Sequence, residues 1–219
     1  MIVYIDDVLI FSENIQQHFK HLNAFVNAVK NAGLVVSARK ISLCQTKIRF
    51  LGHNIFQGTI VPIDRAIEVA SKFPDIILEK TELHRCLGCS NYIADFIRDL
   101  AIIARPLYDR LKKNHPKWTD KHTLAVQHLK GKAKELPCLV LADPNAYKII
   151  ECDASELGLG GILTQRIDNK EQIVRFTSKA WNSTQQNYST IKKEIIAIVY
   201  YVTKFQSDIL NTTFLIRTN

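Results

Sequence analysis

The sequence has no apolar run that approaches the ~20 residues needed to cross a membrane. It also shows no pattern of a secretion signal, and its cysteines number five, an odd count. An odd set of cysteines without a secretion signal favours free thiols in a reducing compartment. These absences predict a cytoplasmic, intracellular protein that has no membrane partner.

Clusters of metal-binding side chains are scarce as well. Cys86 and Cys89 form one Cys-x-x-Cys pair, and His18 and His21 lie three residues apart on a predicted helix. Neither pair has a second pair of cysteines or histidines at the spacing of a zinc site. We therefore expect helix packing for the two cysteines and a structural role for the two histidines.

The chain does have enough apolar residues to form substantial cores. Its 219 residues are 47% hydrophobic, which suffices for one large domain or two ordinary ones. Lysine and arginine number 29 against 21 acidic residues, and the pI is about 9.2. This basic excess fits a polyanionic partner such as nucleic acid, and it equally fits a solvated, lysine-rich surface.

Two adjacent carboxylates stand between apolar runs near the start of the chain. Tyr4 and Ile5 precede Asp6 and Asp7, and the apolar residues 8–11 follow, so the pattern predicts a tight β-hairpin with the acids at its tip. Carboxylate oxygens suit Mg²⁺, and a pair of metal ions can serve phosphoryl transfer. Because side chains alternate along a strand, we expect unequal roles, with Asp6 the stronger ligand. The alternative is an acidic turn without chemistry.

The middle of the chain shows alternating helical and strand patterns. Short strands are predicted within residues 34–61, with a hairpin turn at Gly58-Thr59. The pattern changes near residue 137 to strand, hairpin, strand, helix and strand, which is typical of a further α/β domain. The predicted helices cover residues 15–32, 64–72, 81–97, 100–113 and 119–134. The predicted domains are residues 1–63, 64–136 and 137–219.

Two stretches between the carboxylate motifs are candidate nucleic-acid contacts. The stretch Phe50-Leu51-Gly52-His53 places a glycine beside an aromatic residue, which also suits an ordinary strand bend. Arg110, Lys112 and Lys113 form the basic end of a predicted helix. These three cations either follow a phosphate backbone or complement the dipole of their helix.

A second pair of carboxylates lies in the last third of the chain. Asp153 ends an apolar strand, and Gly160 and Gly161 follow, where the missing side chains allow close approach by a ligand's backbone or by a neighbouring chain segment. Glu194 lies on a helix predicted over residues 189–205. Taken alone, Glu194 is equally well a helix-surface acid.

Several of these motifs resemble one family. Tyr4-Ile5-Asp6-Asp7 resembles the Tyr-x-Asp-Asp motif of reverse transcriptases, above all those of plant pararetroviruses (caulimovirus-like) and gypsy-like LTR retrotransposons. Phe50-Leu51-Gly52-His53 resembles the element that holds the primer terminus. Leu87-Gly88, Asn91-Tyr92 and Ala104-Arg105-Pro106-Leu107 follow the order of the family's thumb and connection. Asp153-Ala154-Ser155, Glu194 and Phe214-Leu215-Ile216-Arg217-Thr218 resemble the ribonuclease H domain that follows it.

The resemblance implies a fold, a chemistry and partners. The fold would be α/β (α+β): a partial palm hairpin, a helical thumb and connection, and a truncated ribonuclease H-like domain. Asp6 and Asp7 would bind Mg²⁺ for RNA-directed DNA synthesis, and Asp153 with Glu194 would bind Mg²⁺, or Mn²⁺, for cleavage of hybrid RNA. The partners would be RNA/DNA hybrid and primer-template, with the remainder of a polyprotein, in a viral or retroelement particle.

The sequence departs from the family at Cys86, where a phenylalanine is usual and packing is affected, and at two places that bear on the chemistry. Asn219 stands where the third ribonuclease H acid is expected, and an amide keeps an oxygen ligand but removes a charge. No counterpart of the family's earlier polymerase aspartate precedes Met1. We therefore expect the chain to be inactive by itself; the alternative is a non-catalytic nucleic-acid-binding or decayed remnant of an endogenous viral element.

Overall fold

The computed structural model describes residues 1–218, apart from the side chains of residues 66, 69 and 70. Helices and strands both occur throughout this range, which confirms the predicted mixed α/β class. The chain divides into two compact units, a first unit of residues 1–50 and a second unit that begins at residue 51. Asn219 lies outside the described residues.

The first unit opens with a β-hairpin. Strands β1 (Ile2–Tyr4) and β2 (Asp7–Leu9) pair antiparallel, with Tyr4 opposite Asp7. Ile5 and Asp6 form the turn, and Ile5 has a left-handed φ of +53°. The predicted hairpin is thus confirmed, with Asp6 in its turn and Asp7 at the start of its second strand.

A long helix and a short strand complete the first unit. Helix α1 (Ile15–Asn31) begins where the Asn14 side chain accepts a hydrogen bond from the amide of Gln17 at 2.9 Å. The helix ends one residue before its predicted end, and Gly33 follows with a φ of +65°. A 3₁₀ turn at Ala38–Lys40 and strand β3 (Lys47–Phe50) follow.

The histidine pair on α1 meets a hydroxyl group. Nδ1 of His21 lies 2.7 Å from Oγ of Ser12, and Nδ1 of His18 lies 3.3 Å from the same oxygen. Both rings thereby connect the helix to the segment that precedes it. This arrangement agrees with the structural role predicted for the two histidines.

The second unit begins with a small antiparallel sheet. Strands β4 (His53–Phe56) and β5 (Thr59–Pro62) form a hairpin, and β6 (Leu139–Val140) pairs with β5. Gln57 and Gly58 form the turn with φ values of +48° and +74°, the backbone of a type I′ hairpin. The predicted hairpin is confirmed, but its turn lies one residue earlier than the predicted Gly58-Thr59, because Thr59 already begins β5.

Five helices follow in a segment between β5 and β6. They are α2 (Asp64–Lys72), α3 (Lys80–Tyr92), α4 (Leu100–Ile103), α5 (Arg105–Leu111) and α6 (Asp120–Lys134). Two predicted lengths were wrong. The helix predicted over residues 81–97 ends at Tyr92 and gives way to a 3₁₀ turn at Ala94–Phe96. The helix predicted over residues 100–113 is interrupted at Ala104, because Pro106 lacks the amide hydrogen that a continuous helix requires there.

The helical segment surrounds one buried cluster. Leu83, Ile97, Leu107 and Val126 are at most 1% exposed and come from different parts of the segment. Cys86 packs in the same cluster, as predicted for the Cys-x-x-Cys pair. Burial raises the pKa of the Cys86 thiol to about 11, which keeps it protonated and unreactive.

A mixed four-stranded sheet forms the remainder of the second unit. Its strands are β7 (Tyr147–Ala154), β8 (Gly158–Ile167), β9 (Lys170–Ala180) and β10 (Phe214–Arg217), in the order β10-β7-β8-β9. Strand β10 runs parallel to β7, and the other pairs are antiparallel. The helices between β9 and β10 are α7 (Ser183–Gln186), α8 (Thr190–Lys204) and α9 (Gln206–Ile209).

This sheet is covered on both faces. On one face α8 contributes Ala197 and Tyr201, both fully buried, to a second core cluster. On the other face Phe176 of β9 packs in the cluster of the helical segment, and the amide of Ala101 donates to Oγ of Ser178 at 2.9 Å. The helical segment and the sheet therefore share one continuous packing arrangement.

Candidate functional site

Asp153 lies near the C-terminal end of β7, beside a cavity of about 620 Å³. It is half-buried and pairs directly with Gly160 of β8. Directly paired residues point to the same face of a sheet, so a side chain at position 160 would stand next to that of Asp153. The glycine leaves this place open, and the cavity extends over it.

The helical segment enters the place that Gly160 leaves open. A Cβ atom at position 160 would collide with Oδ1 of Asp99, which precedes α4 and has a left-handed φ of +60°. Asp99 is paired with Nε of Arg98 at 3.6 Å, and both residues line the cavity. Of the two occupants that the glycines allowed, the structure therefore places a neighbouring chain segment here.

Glu194 presents a buried oxygen that has no hydrogen-bond partner among the described atoms. This atom, Oε2, lies on α8, whose Ala197 and Tyr201 face the sheet. Burial, with smaller contributions from the charges of Glu194 and then Asp153, raises the pKa of the neighbouring Cys152 thiol to about 11. Both carboxylates therefore act on one buried thiol at the end of β7.

The donors present at this place suit a hard cation. A buried carboxylate oxygen without a partner is costly, and a divalent ion with oxygen ligands would satisfy it. Asp153 supplies a second carboxylate near the same thiol. Within residues 1–218, no group of three acidic, histidine or cysteine side chains has a metal-binding arrangement. The expected third position, Asn219, falls outside the described residues.

An ion-pair network closes the cavity on the β10 side. Arg217 donates to Oε1 of Glu171 at 2.7 Å and to Oε1 of Glu151 at 3.0 Å, and Arg166 also contacts Glu171 at 2.8 Å. The two guanidinium groups lower the pKa of the Glu171 carboxyl to about 2. The charge of Arg217 is thus already matched by two carboxylates.

The hairpin carboxylates have different surroundings. Asp6 and Asp7 are both exposed, and so are the apolar residues from Ile2 to Val8 around them. Asp6 lies in the turn and Asp7 in a strand, so their backbone positions are unequal. The stronger ligand role of Asp6 stays a prediction.

The stretch resembling the primer-terminus element is divided between the two units. Phe50 ends β3 in the first unit and is half-buried, whereas Leu51, Gly52 and His53 begin the second unit. The His53 ring stacks on the ring of Tyr92, with centroids 5.2 Å apart. Burial lowers the pKa of His53 from its ordinary value, which favours the neutral imidazole.

The predicted basic end of a helix separates into two environments. Arg110 is 7% exposed; it donates to Nδ1 of His115 at 2.8 Å and lies over the ring of Trp118. Lys112 and Lys113 are exposed, although Lys112 also contacts Asp109 at 2.6 Å. Arg110 therefore holds the turn before α6, and the proposal of phosphate contact is kept for the two lysines.

Sequence reasoning did not single out Asp99 or the partners of Gly52. It placed Tyr92 and Phe96 within one helix predicted over residues 81–97, whereas Tyr92 ends α3, Phe96 lies in the 3₁₀ turn that follows, and both rings stack on His53. The sequence feature that could have pointed to these contacts is the glycine at positions 52 and 160, where the missing side chain allows another residue to approach closely. A glycine in the sequence indicates that close approach is allowed, but only the structure identifies the approaching residue.

Two family models match the chain. The reverse transcriptase (RNA-dependent DNA polymerase) model matches residues 1–55, and the model of the RNase H-like domain found in reverse transcriptase matches residues 118–216. These ranges contain the hairpin carboxylates and the carboxylates of the sheet and α8, respectively. No helix among residues 1–218 has both the length and the apolar character of a membrane span.

Curated relatives are viral polyproteins. The chain is 36% identical over 215 residues to the genome polyprotein of Petunia vein clearing virus (isolate Shepherd), covering 98% of the chain and 10% of that protein. It is 36% identical to the enzymatic polyprotein of Carnation etched ring virus and 37% identical to that of Cauliflower mosaic virus (strain D/H), covering 99% of the chain and 33% of each polyprotein. The chain thus spans between a tenth and a third of the length of these relatives.

Solved structures agree on the fold. The foamy viral protease-reverse transcriptase in complex with RNA/DNA hybrid matches with a TM-score of 0.81 at 21% identity, over 99% of this chain and 30% of that chain. The same protein in complex with dsDNA matches with a TM-score of 0.79 at 20% identity, over 99% of this chain and 45% of that chain. The chain is therefore similar to reverse transcriptase over residues 1–55 and to the RNase H-like domain found in reverse transcriptase over residues 118–216, and it is a homologue of the caulimovirus enzymatic polyproteins over nearly its whole length.

Proposed function

We propose that the chain serves RNA-directed DNA synthesis and, through Asp153 and Glu194, cleavage of the RNA strand of an RNA/DNA hybrid. The observation that carries the hydrolase part is the unpartnered, buried Oε2 of Glu194 beside the same thiol as Asp153. A carboxylate oxygen that is buried without a partner is costly, and a bound cation would satisfy it. Asp153 lines the 620 Å³ cavity, which would give a phosphate access to this carboxylate.

Asp153 and Glu194 would hold Mg²⁺, with Mn²⁺ as a substitute. When bound, a pair of such ions supplies an activated water and stabilises the charge that develops on the scissile phosphate. Asp153 lies on β7 and Glu194 on α8, and both elements contribute residues to the same buried cluster. Gly160 adds no side chain of its own beside Asp153, and the Asp99 side chain of the helical segment enters that place.

The polymerase part rests on Asp6, Asp7 and the turn at residues 51–53. Asp6 and Asp7 would bind Mg²⁺ in the complete active site, and the turn would contact the primer terminus. Identity of 36–37% to polyproteins across 98–99% of the chain supports this assignment.

A specific observation favours a second candidate, a hybrid-binding protein without hydrolysis. Asp99 of the helical segment already occupies the place beside Asp153 that Gly160 leaves open, and Asn219 replaces the third acid. The net charge of +8 would support binding to a polyanion. Affinity for hybrid that falls steeply with salt, without cleavage at any metal concentration, would favour this candidate.

Cleavage of a labelled RNA/DNA hybrid tests the proposal directly. The purified chain is incubated in Mg²⁺ and then in Mn²⁺, beside the variants Asp153→Asn and Glu194→Gln. Glu156→Gln is the matched control, since Glu156 is an exposed carboxylate three residues from Asp153. Metal-dependent cleavage that both site variants lose and the control keeps is the expected result. Equal cleavage by Asp153→Asn would exclude the assigned site.

Restoring the missing acid sharpens the same test. The substitution Asn219→Asp adds one negative charge for the cations. We expect it to increase Mg²⁺-dependent cleavage by at least about tenfold, since removing one group that stabilises developing charge typically costs 10²–10³ in rate. No gain from a folded variant would show that Asn219 is not what limits hydrolysis.

A further inference from the structure

The turn at Leu51 and Gly52 has a backbone that a leucine rarely adopts. Leu51 has a φ of +47° and Gly52 a φ of +76°, so two successive residues are left-handed. Glycine accepts this conformation freely, whereas a leucine side chain opposes it. Residues held in such conformations persist only when their surroundings fix them, and they are concentrated at functional sites.

Tyr92 fixes this turn in two ways. Its hydroxyl group donates a hydrogen bond to the carbonyl oxygen of Leu51 at 3.1 Å. Its ring occupies the space beside Gly52, because a Cβ atom there would lie 2.7 Å from Cζ and would collide with the hydroxyl oxygen. On the other side, the amide of Ile63 donates to the carbonyl oxygen of Gly52 at 3.2 Å.

His53 extends the contact into the core. Its ring stacks on Tyr92 with an interplanar angle of 14° and on Phe96 with an angle of 17°, at centroid distances of 5.2 and 5.7 Å. Phe96 is 3% exposed and belongs to the core of the helical segment. Nδ1 of His53 also lies 3.0 Å from the carbonyl oxygen of Leu51. The turn is thus supported from the buried side by three stacked rings.

The turn is partly accessible to solvent. Leu51 is 38% exposed and Tyr92 is 39% exposed, so neither residue is enclosed in the core of the helical segment. A rigid, supported turn that is partly accessible binds a ligand without first losing conformational entropy.

We propose that Tyr92 is a positioning residue that holds the turn of Leu51, Gly52 and His53 in a preformed shape to receive the 3′-terminal nucleotide of a primer. This inference rests on the proposed function, which supplies the primer as ligand. Tyr92 acts through the Leu51 carbonyl and the Gly52 backbone, and it need not touch the nucleotide itself. The ring of His53 stacks on both Tyr92 and Phe96, and these contacts fix the Tyr92 ring beside the turn.

The test compares a tyrosine with its matched neighbour. Tyr92→Phe keeps the ring stack and removes the hydrogen bond to Leu51. Tyr108→Phe is the control, because Tyr108 is 38% exposed and its hydroxyl group donates to Oδ1 of Asn91 at 2.9 Å on the same helical segment. For each chain, the affinity for an RNA template with a recessed DNA primer is measured against a continuous hybrid of equal length, along with the melting temperature.

We expect the natural chain to prefer the recessed 3′ end. Tyr92→Phe should reduce that preference about fivefold, which corresponds to the loss of one neutral hydrogen bond. Its melting temperature should change no more than that of Tyr108→Phe. If the natural chain shows the preference and Tyr92→Phe keeps it in full, the positioning role is wrong while primer binding stands. If the natural chain shows no preference, primer binding at this turn is wrong, and the inference is overturned with it.

Discussion

The two compact units differ in how they bury apolar side chains. Within residues 1–50, all of which are described, Leu9 is the one buried side chain, and Phe11 and Phe19 are 54% and 57% exposed. The second unit contains two buried clusters, in which Leu107 and Phe205 are completely inaccessible. Both units carry a pair of carboxylates, yet only those of the second unit lie on elements fixed by a core.

This difference shows what a motif establishes and what packing adds. The Asp6 and Asp7 hairpin forms as its sequence predicts, but its carboxylates are surrounded by solvent. Asp153 and Glu194 lie beside buried residues, so their environment restricts which charges can remain there. The metal-binding role of Asp153 and Glu194 is therefore supported by their surroundings in the structure, whereas that of Asp6 and Asp7 depends on resemblance to relatives.

The largest effect should come from removing the same aromatic ring in each unit. Phe205→Ala should lower the free energy of unfolding by about 3–5 kcal/mol, because it empties a fully buried site. Phe19→Ala should change it by less than about 0.5 kcal/mol, because the ring is 57% exposed. Urea unfolding followed by circular dichroism measures both. Equal losses would show that residues 1–50 are buried in solution, against the structure.

A smaller effect should separate the two faces of β8. A Cβ atom at Gly161 would lie 2.6 Å from Cε1 of the buried Tyr201, whereas at Gly160 it would meet the end of the part-exposed Asp99 side chain. Gly161→Ala should therefore destabilise the second unit by about 1–3 kcal/mol, and Gly160→Ala by less. The two variants are compared by thermal unfolding. A larger loss at position 160 would mean that Asp99 is held more firmly than its exposure indicates.

The smallest effect should be the titration of His53. Burial lowers the pKa of its imidazole, and the charge of Asp95 offsets this in part. Because the folded pKa is below the ordinary value of 6.5, the stability that neutral His53 contributes is complete above that pH and is lost as the pH falls. An NMR titration of the ring gives the pKa directly. A value of 6.5 or higher would contradict the stacked, half-buried position.

Much of the fold follows from local sequence signals. The hairpin at Gln57-Gly58 and helix α1 appear where turn residues and apolar spacing predict them. The interruption at Ala104 was missed although Pro106 signalled it, because the apolar pattern on either side is continuous. Local rules describe an element well, and they describe its ends less well.

Long-range contacts were beyond the sequence. Nothing in the spacing of Tyr92 and Phe96 shows that their rings stack on His53, about forty residues earlier in the chain. Similarly, the pattern around Arg110 indicates a basic surface, whereas contacts with His115 and Trp118 bury it. Contacts between distant segments depend on how the whole chain packs. Hydrophobic periodicity predicts only the helix in which a side chain lies.

The most direct test of the account is where a paramagnetic cation binds. Mn²⁺ is added in small steps to the isotopically labelled chain, and the broadening of backbone amide signals is recorded by NMR for the natural chain and for Asp153→Asn. The account predicts that signals of Cys152, Asp153 and Gly160 broaden at lower Mn²⁺ than those of Asp6 and Asp7, and that the substitution removes this broadening. Broadening confined to the exposed hairpin, or unchanged by Asp153→Asn, would contradict the assignment of the metal site to Asp153 and Glu194.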